Sequence, residues 1–242
     1  MRRLSSLFGK REKEKPQEEE IPIACPYCGE ILPKRPTRKR KCPFCRNVIC
    51  VRTDPDTREK MITTEKDAQE IDVRRKRIAY RKRWIGRLAL YGITDQHFEA
   101  KKAQLGKEFQ KEPRDADVVW GLFNNLLTQQ MKTSDHDALK GLYYDMALFA
   151  EEEGREFFHL LQQARKMELL HWREAGIGVT KVEILTAGDK ACPSCQPLRG
   201  KIFKIKDALK EMPIPNKDCT THWHHPKQGF CRCSYLPVIP EP

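Results

Sequence analysis

The chain has 242 residues, of which 46 are Lys or Arg and 34 are Asp or Glu, so its formal net charge is +12. Charged residues make up 33% of the sequence and the mean hydropathy is −0.71. This length suffices for one or two domains with sizeable cores, and we expect neither a membrane-spanning segment nor a signal peptide, because no sustained apolar run is present.

Ten cysteines without a secretory signal indicate a reducing compartment and metal ligation rather than disulfide bonds. We therefore expect a cytoplasmic protein. The surplus of basic residues favours a polyanionic partner. Residues 1–20 are predicted to be a disordered tail, because their second half has almost nothing apolar to bury.

Residues 21–53 contain two knuckles of the form Cys-Pro-aromatic-Cys, separated by 13 residues. Each knuckle is a tight turn that directs two thiolates at one point, as tetrahedral zinc requires. Four thiolates leave no position for a catalytic water, so a structural zinc ribbon is predicted. Its ligands are Cys25, Cys28, Cys42 and Cys45. Cys50, on a predicted strand, is expected to be a packing residue.

Two basic runs lie on either side of a turn-rich connection, residues 54–63. The first, interpreted as a hairpin between the knuckles, has six positive charges and no negative one. The second covers the polar faces of the first helix. Such runs can follow a phosphate backbone, although they also occur as solvated faces. The candidate nucleic-acid contacts are Lys34, Arg35, Arg38, Lys39, Arg40, Lys41, Arg74, Arg75, Arg77 and Arg81.

Residues 64–177 are predicted to form a helical domain. Thr64 and Asp67 have the spacing of a capping box at the start of an amphipathic helix, which Gly92 is expected to end. Three more helices are expected, starting near Thr94, Pro113 and Ser134, with the last one bending near Gly154 and continuing to Trp172.

The last segment, residues 178–242, is predicted to be a small α+β zinc domain. Strands are expected over 179–185, 201–205 and 230–238, with a short helix over 206–212. Alternation along the last strand puts Cys231 and Cys233 on one face. Cys192 and Cys195 are the first choice of ligands and Cys219 and Cys231 the next, with Cys233 or a histidine from the loop of His222, His224 and His225 able to substitute.

This last segment also carries a family resemblance. Its order is the run Val182–Thr186, an acidic loop, a Cys-x-x-Cys turn, the run Leu198–Phe203, a Pro-rich turn, and Cys-Arg-Cys followed by an apolar strand. Over residues 178 to 238 it resembles the C-terminal domain of the phage Mu F-like minor head proteins, the head morphogenesis family. The resemblance implies an assembly role beside phage portal or head proteins, and a virion-associated location if the role is retained.

We therefore expect an α+β protein with a small β zinc ribbon, a central helical domain and a C-terminal zinc domain, holding two structural Zn²⁺ ions and catalysing no reaction. Nucleotide-binding and hydrolase motifs are missing from the sequence, and no pattern suggests a small-molecule substrate. One alternative is a bacterial zinc-ribbon protein that binds nucleic acid. A weaker one is a metal-dependent nuclease built on the His-rich loop.

Overall fold

A computed structural model describes residues 22–176, 178–222 and 229–239. Within these ranges the chain forms six α-helices and two antiparallel three-stranded sheets, which is the predicted α+β class. The predicted tail, residues 1–20, lies outside the described residues, as do His224 and His225. The chain divides into two compact units, Met1–Ile78 and Ala79–Pro242.

The first unit is built on a sheet with strand order β1-β2-β3. The strands are β1 (Arg40–Lys41), β2 (Val48–Thr53) and β3 (Lys60–Thr63). Arg40 pairs with Ile49, and Cys50 pairs with Thr63. Cys50 is buried within β2, as expected of a packing residue. The small core beneath the sheet contains Cys25, Leu32, Cys42 and Ile49.

Two expectations for this unit were wrong. Residues 54–63 are not only a connection, because they include strand β3, which pairs with β2. The turn between the two strands is held by the Asp54 carboxylate, which accepts bonds from the amides of Asp56 and Thr57 at 2.8 and 3.0 Å. The basic segment is also not a hairpin between the knuckles. Each knuckle instead sits inside its own hairpin, one closed by the Ala24–Ile31 bridge and the other by β1 and β2.

Helix α1 (Glu65–Leu88) begins at the predicted capping box. The Thr64 hydroxyl accepts a bond from the Asp67 amide at 3.1 Å, and the Asp67 carboxylate accepts one from the Thr64 amide at 3.4 Å. A short 3₁₀ turn follows the helix. It ends at Gly92, whose φ of 77° is a left-handed conformation that glycine adopts without strain.

The second unit begins as a helical bundle with α2 (Asp95–Phe109), α3 (Asp115–Thr133), α4 (His136–Glu152) and α5 (Phe158–Glu174). The single bent helix predicted from Ser134 is instead two helices, interrupted where Gly154 takes a φ of 66°. Asp135 caps α4, with its carboxylate accepting bonds from the amides of Asp137 and Ala138. The core of the bundle is aromatic, and Trp84 meets Phe149 edge to face at 5.0 Å.

The C-terminal part of this unit is a sheet of order β5-β4-β6 with one helix. Its elements are β4 (Lys181–Leu185), β5 (Ile202–Lys204), α6 (Ile205–Glu211) and β6 (Ser234–Val238). The predicted last strand starts too early, because residues 230–233 precede β6. The side of α5 packs on this part through Leu169. Buried Glu168 accepts bonds from the Tyr235 amide at 3.1 Å and from Arg165 at 2.9 Å.

Candidate metal centres

The first candidate centre joins the two knuckles of the first unit. The sulfur atoms of Cys25, Cys28, Cys42 and Cys45 all lie within 4.8 Å of one another. The distances from Cys25 to Cys45 and from Cys28 to Cys42 are both 3.9 Å. A tetrahedron with zinc–sulfur bonds of about 2.3 Å has sulfur–sulfur edges of about 3.8 Å. These free cysteines therefore have the spacing of a four-thiolate metal site.

The first knuckle is a compact turn closed by its own backbone. The amide of Cys25 donates to the carbonyl of Glu30 at 2.8 Å, and the amide of Gly29 donates to the carbonyl of Cys25 at 2.9 Å. Gly29 has a φ of 78°, which only glycine adopts readily. The Tyr27 amide also points at the Cys25 sulfur at 3.5 Å. The turn thus presents amide hydrogens to thiolates.

The second knuckle repeats this backbone arrangement without a glycine. The amide of Cys42 donates to the carbonyl of Asn47 at 2.8 Å, and that of Arg46 donates to the carbonyl of Cys42 at 3.1 Å. Arg46 therefore takes the place of Gly29, with a φ of 65°. Burial alone would raise the pKa of the Cys42 thiol, but bonds from the amides of Cys45 and Phe44 outweigh it and lower the pKa to about 7.

The second candidate centre lies in the C-terminal part of the second unit and contains five buried thiols. Two triads share Cys195, and within each triad all sulfur atoms lie within 4.8 Å. The Cys192–Cys219 distance is 3.7 Å and the Cys195–Cys231 distance is 3.9 Å, both close to the tetrahedral edge of about 3.8 Å. The triads are Cys192, Cys195 and Cys219, and Cys195, Cys231 and Cys233. A tetrahedral ion needs four of these five.

Two residues that the sequence analysis missed hold this centre together. The Asn216 amide donates to the Cys231 sulfur at 3.3 Å, and its side-chain amide donates to the Ser194 carbonyl at 2.7 Å. The Ser194 hydroxyl lies 3.3 Å from the Cys192 sulfur. Asn216 follows Pro215, and Ser194 is inside the Cys-x-x-Cys turn. Their sequence positions showed that they were near ligands, but not that they bridge the two halves of the site.

The thiols of this centre do not share one pKa. Burial alone would raise the pKa of Cys192, but bonds from the Ser194 hydroxyl and the Thr220 amide outweigh it and lower the pKa to about 5. Burial and the charge of Cys231 raise the pKa of Cys195. The pKa of Cys219 is raised mainly by the hydrogen bond with the Cys231 thiol and, to a smaller extent, by burial. A bound divalent cation would favour the thiolate form throughout.

Close backbone packing brings Cys231 to the centre. Gly229 lies against Cys219 so tightly that a Cβ atom at this position would overlap the Cys219 carbonyl. The Phe230 amide then donates to the Thr221 carbonyl at 2.7 Å. Cys231 and Cys233 are buried and Arg232 is exposed, so the predicted alternation holds although these residues precede the strand.

The candidate nucleic-acid residues of the first unit fall into two groups. Several are engaged within the unit: Lys39 pairs with Glu65 at 2.8 Å, Arg74 with Asp54 and Asp56, Arg75 with Asp72 at 3.4 Å, and Arg35 donates to the Lys60 carbonyl. Arg77 is exposed on α1. Four others are exposed and have no acidic partner among the described residues: Lys34, Arg38, Arg40 and Lys41.

Arg81 belongs to the second unit and has a structural role there. It pairs with Asp95 at 2.8 Å and with Glu99 at 2.6 Å, and its guanidinium lies 4.5 Å from the centre of the Phe98 ring. These contacts join α1 to α2. Among the candidate residues, the exposed cations without an acidic partner in the described part of the chain are therefore the four between the knuckles.

A shallow hollow on the helical bundle is one alternative to the sulfur clusters as a site of chemistry among the described residues. It is lined by Leu105, Phe109, Trp120 and Asp117. The Asp117 carboxylate in this hollow is already bound by the Arg114 guanidinium, which lowers the pKa of Asp117. A carboxylate held in an ion pair in this way is a poor general base.

Comparison with known protein families, with curated proteins and with solved structures finds no match for this chain. Of the helices in the described residues, none has the length and apolarity needed to cross a bilayer.

Proposed function

We propose that the chain is a non-enzymatic assembly protein in which two structural Zn²⁺ ions hold two separate parts of the fold, and in which the first unit contacts nucleic acid. The observation that carries the proposal is the sulfur spacing of 3.7 to 3.9 Å in both clusters. Four thiolates at tetrahedral spacing are typical of zinc or iron, and a closed shell favours a structural role.

Four thiols complete each site. In the first unit the ligands are Cys25, Cys28, Cys42 and Cys45. In the second unit we assign Cys192, Cys195, Cys219 and Cys231, which form the sulfur pairs at 3.7 and 3.9 Å, and Cys233, from the second triad, is the additional thiol beside the ion. The zinc would supply cross-links between chain segments that are distant in sequence. The surrounding amides of Tyr27, Phe44 and Asn216 offset the negative charge of the thiolates.

Metal analysis of protein purified without chelator tests this first part. Two zinc ions per chain, no iron and no visible absorption band are expected. One ion or none, or an iron–sulfur spectrum, would overturn it.

The nucleic-acid part of the proposal rests on charge. Residues 22–78 contain 15 Lys and Arg against eight Asp and Glu. Four exposed cations between the knuckles have no acidic partner in the described structure, whereas Lys39, Arg52, Arg74 and Arg75 of the same unit are paired with carboxylates. Each cation that meets a phosphate releases a counterion, so binding should weaken steeply with salt and depend little on sequence.

A variant in which Ser replaces Arg38, Lys39, Arg40 and Lys41 at once tests the nucleic-acid part of the proposal. Lower affinity and a smaller slope of log affinity against log salt are expected, with zinc content unchanged. A matched control replaces the already paired Arg74 and Arg75, and it should change the slope less. If the parent protein binds no DNA or RNA at low salt, the nucleic-acid role is wrong.

The phage-head role is supported by the resemblance of residues 178 to 238 to the Mu F-like minor head proteins. Genes for a terminase and a portal protein beside the gene for this chain, together with co-purification of the portal, would support that role. A bacterial nucleic-acid-binding protein is the second candidate, favoured by the basic first unit. A gene neighbourhood without phage genes would favour it.

A further inference from the structure

The second knuckle hairpin combines an exposed aromatic ring with unpaired positive charge. This hairpin runs from Arg40 to Ile49 and contains three Lys or Arg and no Asp or Glu. At its tip the Phe44 side chain is 54% exposed, although phenylalanine usually packs inside. Arg40, Lys41 and Arg46 are all exposed and have no acidic partner among the described residues.

The first knuckle differs at each of these points. Tyr27 takes the position equivalent to Phe44, but its hydroxyl accepts a bond from the Glu65 amide at 2.9 Å and so caps the start of α1. The knuckle is followed by Gly29 and Glu30 instead of a cation. One aromatic is therefore used within the fold, whereas the other is left facing solvent among cations.

An exposed ring beside positive charge matches the chemistry of single-stranded nucleic acid. Unpaired bases stack on aromatic side chains, and the backbone phosphates pair with nearby Lys and Arg. A duplex hides the faces of its bases, so the ring would add nothing to duplex binding beyond the cations. An acidic peptide would use the cations and leave the ring exposed.

The turn also orders the backbone that carries the ring. Phe44 lies inside a backbone turn closed by the bond from the Arg46 amide to the Cys42 carbonyl at 3.1 Å. Because this backbone is already ordered, only the side-chain torsions of Phe44 lose freedom on binding. The hairpin therefore presents a preorganised platform.

We propose that Phe44 is a base-stacking residue and that the second knuckle hairpin binds single-stranded nucleic acid in preference to duplex, with Arg40, Lys41 and Arg46 contacting the phosphates. This inference rests on the proposed nucleic-acid role. It adds that the bound nucleic acid is single-stranded and that Phe44 is the residue that favours it over duplex.

The test compares variants of the full zinc-loaded chain on three probes: an oligothymidylate of about 20 nucleotides, a mixed-sequence duplex of the same length, and polyglutamate. Phe44→Ala should weaken oligothymidylate binding about five- to tenfold, at the lower end of what one base–aromatic stack supplies, and leave duplex binding unchanged. Phe44→Trp should restore or improve binding. Ile31→Ala is the matched control, because Ile31 is an apolar side chain of the same unit that is 61% exposed.

The outcomes separate this inference from the broader proposal. If the parent binds both nucleic acids and Phe44→Ala changes neither, the stacking role is wrong while the nucleic-acid role stands. If the parent binds neither at low salt, both are wrong. Polyglutamate binding as tight as oligothymidylate binding would assign the cations to an acidic protein partner and overturn the inference. Unchanged zinc content in Phe44→Ala shows that any loss of binding is not due to unfolding.

Discussion

The ring of Phe230 packs against the ring of Phe157 with 5.3 Å between their centroids, and the residue that follows Phe230 is the cluster cysteine Cys231. Phe230 is fully buried in the core of the helical bundle and also meets Tyr144 at 5.6 Å. Cys231 belongs to the core of the C-terminal part. Within the second unit, the sulfur cluster and the helical bundle are therefore joined by adjacent residues.

This junction predicts that Phe230→Ala weakens both parts of the second unit. Loss of a buried phenylalanine should lower the free energy of unfolding by about 3–5 kcal/mol, and freeing the chain beside Cys231 should lower the affinity for the C-terminal metal. Thermal unfolding and zinc release to a chelator measure the two effects. Phe109→Ala is the control, because this ring is 56% exposed. Normal zinc retention in Phe230→Ala would contradict the coupling.

The two metal sites should be separable by mutation. Cys28→Ser should reduce the zinc content from two ions to one and unfold the first unit locally, since a structural zinc ion contributes on the order of 10 kcal/mol to a small domain. The second unit has its own large core and should remain folded. Cys50→Ala, at a buried cysteine outside the clusters, is the control and should keep two ions.

Limited proteolysis distinguishes local from global unfolding in these variants. New cleavage sites in Cys28→Ser are expected in residues 22–78 alone. Equal loss of protection in the C-terminal part would show that the two sites are not independent.

The additional thiol of the second cluster gives a third prediction. Cys233→Ala should keep two zinc ions, whereas Cys219→Ala should lose one, because Cys219 is an assigned ligand whose sulfur lies 3.7 Å from that of Cys192. Zinc content and the rate of zinc loss to a chelator measure the difference. Two ions in both variants would mean that Cys233 replaces Cys219 as a ligand.

Some of these features could be predicted from the sequence because they depend on local spacing. The Cys-x-x-Cys turns, the capping box at Thr64 and the end of a helix at Gly92 each involve residues close together in the chain. Strand β3 was missed because it has one buried residue, Thr63, and its register depends on pairing with β2. The bridge that Asn216 makes between Ser194 and Cys231 depends on tertiary packing, which no local pattern encodes.

The left-handed conformation of Arg46 in the second knuckle could also not be predicted from the sequence, because an arginine does not signal a positive φ as a glycine does. A non-glycine residue in this conformation costs about 1–2 kcal/mol. Arg46→Gly removes this cost but adds an entropic cost of about 0.5–1 kcal/mol in the backbone, so a gain of up to about 1.5 kcal/mol in the stability of the first unit is expected. Gly29→Ala, at the equivalent position, should lower stability by about 1–2 kcal/mol.

Hydrogen exchange of the β2 amides in the zinc-loaded chain measures both changes. Slower exchange in Arg46→Gly and faster exchange in Gly29→Ala are expected. Changes of the same sign in the two variants would show that the knuckles are not equivalent.

The last prediction concerns the buried ion pair of α5, whose carboxylate also binds the backbone of β6. Glu168 accepts bonds from Arg165 and from the Tyr235 amide, and both charged side chains are less than one-tenth exposed. Glu168→Ala leaves the Arg165 charge buried without its carboxylate, which should lower the free energy of unfolding by about 3–5 kcal/mol. Glu174→Ala is the control, because Glu174 lies on the same helix and is half exposed in its pairs with Arg173 and His136, which should each contribute at most about 1 kcal/mol. Denaturant unfolding measures both values. A double variant with Met in place of Arg165 and Leu in place of Glu168 should recover most of this loss of stability, because buried charge without a partner is its cause. A double variant as unstable as Glu168→Ala would refute that cause.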